Sequence, residues 1–107
     1  MALSGRKRKR VAVHWPVRLW RQREVVPIES TTENLSSEGL YCITQEPFKQ
    51  GERLQCMIVI PETVVGLESS ILLECQVTIR RVENLRYGFG LGCHIEDYSL
   101  TTSQPSA

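Results

Sequence analysis

From Ile71 to Ile79 every second residue is apolar: Ile71, Leu73, Cys75, Val77 and Ile79. Successive side chains of an extended chain point to opposite faces, so a run of period two buries one face only as a β-strand. The same period recurs in Leu54, Cys56, Ile58 and Ile60, and again in Phe89, Leu91, Cys93 and Ile95. An amphipathic helix needs apolar residues three and four apart, and no convincing stretch of that kind is present. The chain is therefore constrained to an all-β fold.

Taken from the N-terminus, six strands are expected. Residues 11–20 place Val11, Val13, Trp15, Val17 and Leu19 on one face, with Pro16 marking an edge or bulge because it lacks a backbone N–H. Residues 21–24 form a polar turn. Residues 25–33, rich in Val, Ile and Thr, make a second strand running into Asn34. Gly39 opens a third, Leu40 to Thr44, and a turn ends in Lys49-Gln50-Gly51. Residues 52–60 form the fourth strand, stopped by Pro61, and a loop with Gly66 leads to the fifth at residues 70–82. After a turn at Asn84-Leu85-Arg86, residues 87–96 form the last strand, whose other face carries Gly88, Gly90 and Gly92. Glycines in a strand allow another group to approach closely. Short strands at even spacing predict a small antiparallel barrel or sandwich. Residues 99–107 are expected to be a disordered tail.

The chain has 107 residues with 41% hydrophobic, enough for one domain, here residues 11–98, with an apolar core. No apolar run approaches the roughly 18 residues that span a bilayer, so no membrane insertion is expected. The basic N-terminus lacks the apolar centre of a signal peptide, which points to the cytosol. Cys42, Cys56, Cys75 and Cys93 contain no Cys-x-x-Cys pair and lie on inward registers. They are expected to be small buried hydrophobes rather than metal ligands. The two histidines, His14 and His94, lie on outward registers, and no nucleophile, base and orienting group fall together. No enzyme, metal or cofactor is expected.

Charge is unevenly spread. The segment 1–23 carries eight basic side chains and no acid, whereas 24–107 holds all twelve acids and five basic residues. A segregated basic end favours an anionic partner. Within it lies Arg6-Lys7-Arg8-Lys9-Arg10, an Arg-x-x-x-Arg run at the end of a basic arm, residues 1–10. An arginine fork donates two parallel hydrogen bonds to a phosphate or to the O6/N7 edge of guanine. Between the second and third strands lies Asn34-x-Ser36-x-x-Gly39. Asn34 both donates and accepts, Ser36 adds a hydroxyl, and Gly39 allows a backbone approach that a side chain would block. Alone, this stretch is also an ordinary Asx or Ser turn.

Arg6-x-x-x-Arg10 followed by Val11-Ala12-Val13, then Asn34-x-Ser36-x-x-Gly39, on this strand pattern, resembles the PilZ domain family. The resemblance runs from Arg6 to about Asp97 and includes Leu40-x-Cys42 and Phe89-Gly90-Leu91. Both motifs match without substitution, because the family accepts Asp or Asn at the position of Asn34. The resemblance implies a six-stranded antiparallel barrel that binds cyclic di-GMP, a bacterial second messenger with two guanines and two phosphates. It implies that Arg6 and Arg10 grip phosphate and guanine, Asn34 reads a guanine edge, Ser36 adds a contact and Gly39 shapes the loop. Arg8 lies outside the motif and is an auxiliary candidate. Members often carry a helix after the last strand, where this chain has a polar stretch.

The expected function is a stand-alone effector or adaptor whose basic arm, flexible when empty, orders on the dianionic ligand and signals to a protein partner. Two other readings are a nucleotide-independent PilZ-like adaptor, and a nucleic-acid binder using the arm with Trp15 and Trp20 as stacking groups.

Overall fold

The computed structural model describes residues 10–62 and 70–102. Six strands carry it: β1 (Pro16–Trp20), β2 (Ile28–Leu35), β3 (Gly39–Thr44), β4 (Arg53–Ile60), β5 (Ile71–Leu85) and β6 (Gly88–Thr102). They close in the order β1-β2-β3-β6-β5-β4, every pair antiparallel, with β1 against β4 completing the barrel. The expected all-β six-stranded barrel is what forms.

The alternating faces meet inside. Val17 and Leu19 of β1, Leu40 and Cys42 of β3, Leu54, Cys56 and Ile58 of β4, Cys75, Val77 and Ile79 of β5, and Leu91, Cys93 and Ile95 of β6 are buried together, with Phe48 from the β3–β4 loop. Arg21 lies over the Phe48 ring, 4.2 Å from its centroid, and pairs with Glu52 at 2.9 Å, so the turn after β1 covers this side of the core. The four cysteines are free and buried. Cys56 stands directly opposite Cys75. A hydrogen bond with Cys75, reinforced by burial, pushes the Cys56 thiol well above its ordinary range, and Cys42 acts on Cys93 in the same way. These two thiols are held protonated, while the same bonds lower their partners Cys75 and Cys42; all four side chains lie in the apolar core, as expected.

Strand β2 differs. Its fully buried residue is Thr32, whose hydroxyl donates to the Val13 carbonyl at 2.5 Å and accepts from the Trp15 N–H at 2.9 Å. The first strand was expected over 11–20, but the β1 ladder begins at Pro16. Pro16 has no N–H to donate, and on its N-terminal side the Thr32 hydroxyl joins the connection. The Thr32 N–H also donates to Trp15 O, and Val11 exchanges two 2.9 Å backbone bonds with Leu35. The segment 10–15 is thereby laid along β2.

Three boundaries move. Val25 and Val26, expected in the second strand, are 86% and 72% exposed, and β2 begins at Ile28. Pro27 explains this, since it cannot donate to a ladder and restricts the residue before it. The expected turn at 84–86 shifts, because β5 runs to Leu85 and pairs with Gly88 across Arg86-Tyr87. The last strand was expected to stop at 96, with a disordered tail over 99–107. Instead β6 continues to Thr102, pairing Leu100 with Leu73 and Thr102 with Ile71. This start of β5 also pairs with the end of β4, Ile60 against Ile71, so three strands support one another there. The paired unit therefore extends past 98 to Thr102, and the rest of the expected tail, 103–107, lies outside the described residues.

A candidate anion-binding cleft

Two β-bulges shape the outer face over β6. In β2 the register shifts between Thr32 and Asn34, so Glu33 is the extra residue. Thr32 points inward and Leu35 packs against the core, and the two polar residues between them, Glu33 and Asn34, stay half-buried. In β5 the register shifts between Ile79 and Arg81, opposite Cys93 and Gly92. Ile79 is buried and Val82 packs on the core, so Arg80 and Arg81 both face outward. A bulge re-aims side chains in this way.

Between the two bulges lies a cleft of about 580 Å³ lined by Arg10, Asn34, Glu38, Tyr41, Arg80, Arg81, Glu83 and the Gly92–His94 stretch of β6. Three guanidiniums face two carboxylates. Arg10 Nη1 donates to Asn34 Oδ1 at 2.7 Å. The Val11–Leu35 bridge sets that contact by fixing the residue after Arg10 beside the residue after Asn34. The Tyr41 hydroxyl donates to Glu83 Oε1 at 2.6 Å. This bond, with burial and the negative charge of Glu83, pushes the Tyr41 phenol up to about 12. Arg81 Nε lies 3.4 Å from Glu83 Oε2.

The expected site residues distribute unevenly. Arg10 and Asn34 meet at the cleft. Arg6 lies outside the described residues. Gly39 begins β3 opposite His94, and a Cβ there would sit 2.3 Å from the Cys93 carbonyl oxygen and 3.6 Å from Arg10 Nη2. Its need for glycine thus comes first from packing against β6. Ser36 does not line this cleft. It lines a separate apolar groove, and its hydroxyl accepts from the Glu38 N–H at 3.2 Å inside the turn. Two groups named as alternatives also find places. Trp15 packs on the core, and the half-buried Trp20 donates from its indole to Val25 O at 3.3 Å.

Sequence reasoning missed Tyr41, Arg80, Arg81 and Glu83, and passed over His94. A signal was present. Ile79 and Val82 are three apart in a strand of period two, as are Thr32 and Leu35, which marks a bulge with two outward residues between. Tyr41 stands on the outward register of β3 beside Gly90, where an added Cβ would lie 1.9 Å from the phenol oxygen. The β6 glycines are the floor that admits it.

Fold and cleft together define a small binding module, a closed β-barrel with a cationic site on its outer face. The sequence profile of the PilZ domain matches residues 4–104, and the chain belongs to that family. Two solved structures share the fold. The Bacillus subtilis inhibitor of motility (MotI/DgrA) superposes with a TM-score of 0.74 at 19% identity, over 91% of this chain and 45% of that one. The PilZ domain with c-di-GMP of YcgR from Escherichia coli superposes with a TM-score of 0.62 at 9% identity, over 88% and 79%. This chain thus spans less than half the length of the motility inhibitor. Among curated proteins none matches. PilZ domains are binding and effector domains. Among the described residues no three His, Cys, Asp or Glu side chains cluster to hold a metal, and no helix is long and apolar enough to cross a membrane.

Proposed function

We propose that this PilZ domain is a cyclic di-GMP effector that takes its ligand at the cleft over β6. The observation that carries the reading is the 2.7 Å contact of Arg10 with Asn34, which brings the end of the basic arm onto the Asn-x-Ser-x-x-Gly turn at the mouth of a cationic cleft. Arg10 supplies a charged donor for a phosphate or guanine edge, and Asn34 an amide that reads a base edge. Arg6, one Arg-x-x-x-Arg step earlier, supplies the second fork. Ser36 and Gly39 build the turn that holds Asn34, and Ser36 contacts ligand only if that turn opens. The family, and the neighbour solved with c-di-GMP, support this ligand.

Binding must have an output. Val11, next to Arg10, lines an apolar groove of about 420 Å³ with Val13, Trp15, Leu35, Leu73, Ile95 and Tyr98. A ligand that draws Arg10 from Asn34 acts on the rim of that groove, where a protein partner would read it as a changed surface. The basic arm orders on the ligand in this scheme, and the site of action is the cytoplasm. Calorimetric titration of the whole chain with cyclic di-GMP tests the proposal. Saturable heat with affinity in the micromolar range or tighter is expected. No heat at tens of micromolar ligand sinks it and leaves the nucleotide-independent adaptor.

A further inference from the structure

We infer that Arg81 is a ligand-contacting residue of this cleft, a second cationic arm facing Arg10 across β6, and that Glu83 holds it ready. The inference rests on the cyclic di-GMP reading and adds a binding residue outside both sequence motifs.

Three observations carry it. The bulge at Arg80 turns Arg81 to the outer face, where an unbroken alternation would turn it toward the core. Beneath it β6 presents Gly92, and the Arg81 Cβ and Cζ lie 3.6 and 3.9 Å from where a Gly92 Cβ would be. The guanidinium therefore lies close over a bare stretch of backbone, where a planar base or a phosphate has room to approach it. Lastly, Arg81 comes closest to Glu83 through its Nε, at 3.4 Å, and not through its two terminal nitrogens. A guanidinium uses those nitrogens for the two-pronged grip on phosphate or on a guanine edge.

Glu83 is a positioning residue. One oxygen accepts from Tyr41 at 2.6 Å and the other faces Arg81. Tyr41 in turn packs on Gly90, so the carboxylate is braced from β3 while it orients a side chain of its own strand. Its charge makes it a competitor as well as a guide, because a phosphate at Arg81 must share the guanidinium with it. A ligand with two phosphates finds one cation on each rim, Arg10 beside β2 and Arg81 on β5.

The test is a cycle of cyclic di-GMP titrations on the full chain: wild type, Arg10→Ala, Arg81→Ala, Arg81→Lys, Glu83→Gln and the Arg81→Ala/Glu83→Gln double variant. Arg81→Ala is expected to weaken binding about tenfold or more, the loss typical of a hydrogen bond to a charged group. Arg81→Lys keeps the charge but not the fork, and falls between. Glu83→Gln keeps the bond to Tyr41, removes the competing charge and tightens binding, and that gain disappears in the Arg81→Ala background. Arg81→Ala binding within about twofold of wild type, with Arg10→Ala crippled, overturns the inference and leaves the cyclic di-GMP site standing. A Glu83→Gln gain that survives without Arg81 is general electrostatics and also overturns it. Failure of the wild type to bind removes both proposals. Arg81 is exposed, and should Arg81→Ala fail to fold, the Lys and Glu83→Gln variants still decide.

Discussion

Arg10 and Asn34 stand 24 positions apart in the chain and meet through a 2.7 Å bond from guanidinium to amide oxygen. The bond is local to the cleft and exposed, so it adds little to stability. In the proposed ligand mode its effect would be on ligand geometry, because it holds a cation against a hydrogen-bonding amide. Arg10→Ala is expected to lower cyclic di-GMP affinity about tenfold to a hundredfold while shifting the melting temperature by only a degree or two, as losing a charged hydrogen bond to ligand implies. Asn34→Ala should lower affinity in the same direction, and the double variant should lose less than the two single losses combined. Strict additivity in titration calorimetry would show that the two side chains act on ligand independently.

Gly39 and Gly90 make a contrast that thermal melts can read. An added Cβ meets backbone at Gly39, 2.3 Å from Cys93 O, and only the phenol end of Tyr41 at Gly90. Backbone across a closed barrel cannot step aside, whereas a side chain can turn outward. Gly39→Ala is expected to cost about 1–3 kcal/mol, the usual penalty of overpacking, and Gly90→Ala clearly less. Equal losses would mean that Tyr41 is not free to move.

What could be read before folding was the part that depends on side-chain period. Ile71 to Ile79 and Leu54 to Ile60 announce their strands because one face had to be buried. Asn34 and Arg10 were found through motif order, a property of the chain rather than of its surface. Arg81 escaped because its outward direction depends on a bulge, and a bulge shows only as the odd spacing of Ile79 and Val82. The continuation of β6 to Thr102 escaped for a related reason. Ser99, Thr101 and Thr102 are polar and mark no buried face, yet the ladder needs only backbone, and Ile71 to Leu73 offered an unpaired edge.

The bond from Tyr41 to Glu83 has a signature in base. Its donor is the protonated phenol, whose pKa rises from 10.0 to about 12 in the fold. A folded value above the unfolded one means that the native state holds the proton more tightly. The contribution is whole below pH 10 and fades as pH climbs through about 12. Phenolate absorbance of wild type minus Tyr41→Phe is expected to show a midpoint near 12, and Glu83→Ala should bring that midpoint down toward 10.0. A Tyr41 midpoint indifferent to Glu83 would contradict the hydrogen bond as its cause.

Thr32 ties the N-terminal segment to β2. It is fully buried, and its hydroxyl serves the Val13 carbonyl and the Trp15 N–H at once. Thr32→Val keeps the shape and removes both bonds, which leaves two backbone groups without partners at about 1–3 kcal/mol each. The weaker alternative is for segment 11–15 to lift from β2. Lifting also frees Val11 from Leu35, and Arg10 then leaves Asn34. Thr32→Val is therefore expected to speed amide exchange at Val11 and Trp15 while β4 and β5 stay protected, and to weaken cyclic di-GMP binding without touching the cleft. Uniformly faster exchange across the barrel would assign the loss to global stability instead. Local exchange with unchanged affinity would show that the docking of this segment is not what presents Arg10 to the ligand.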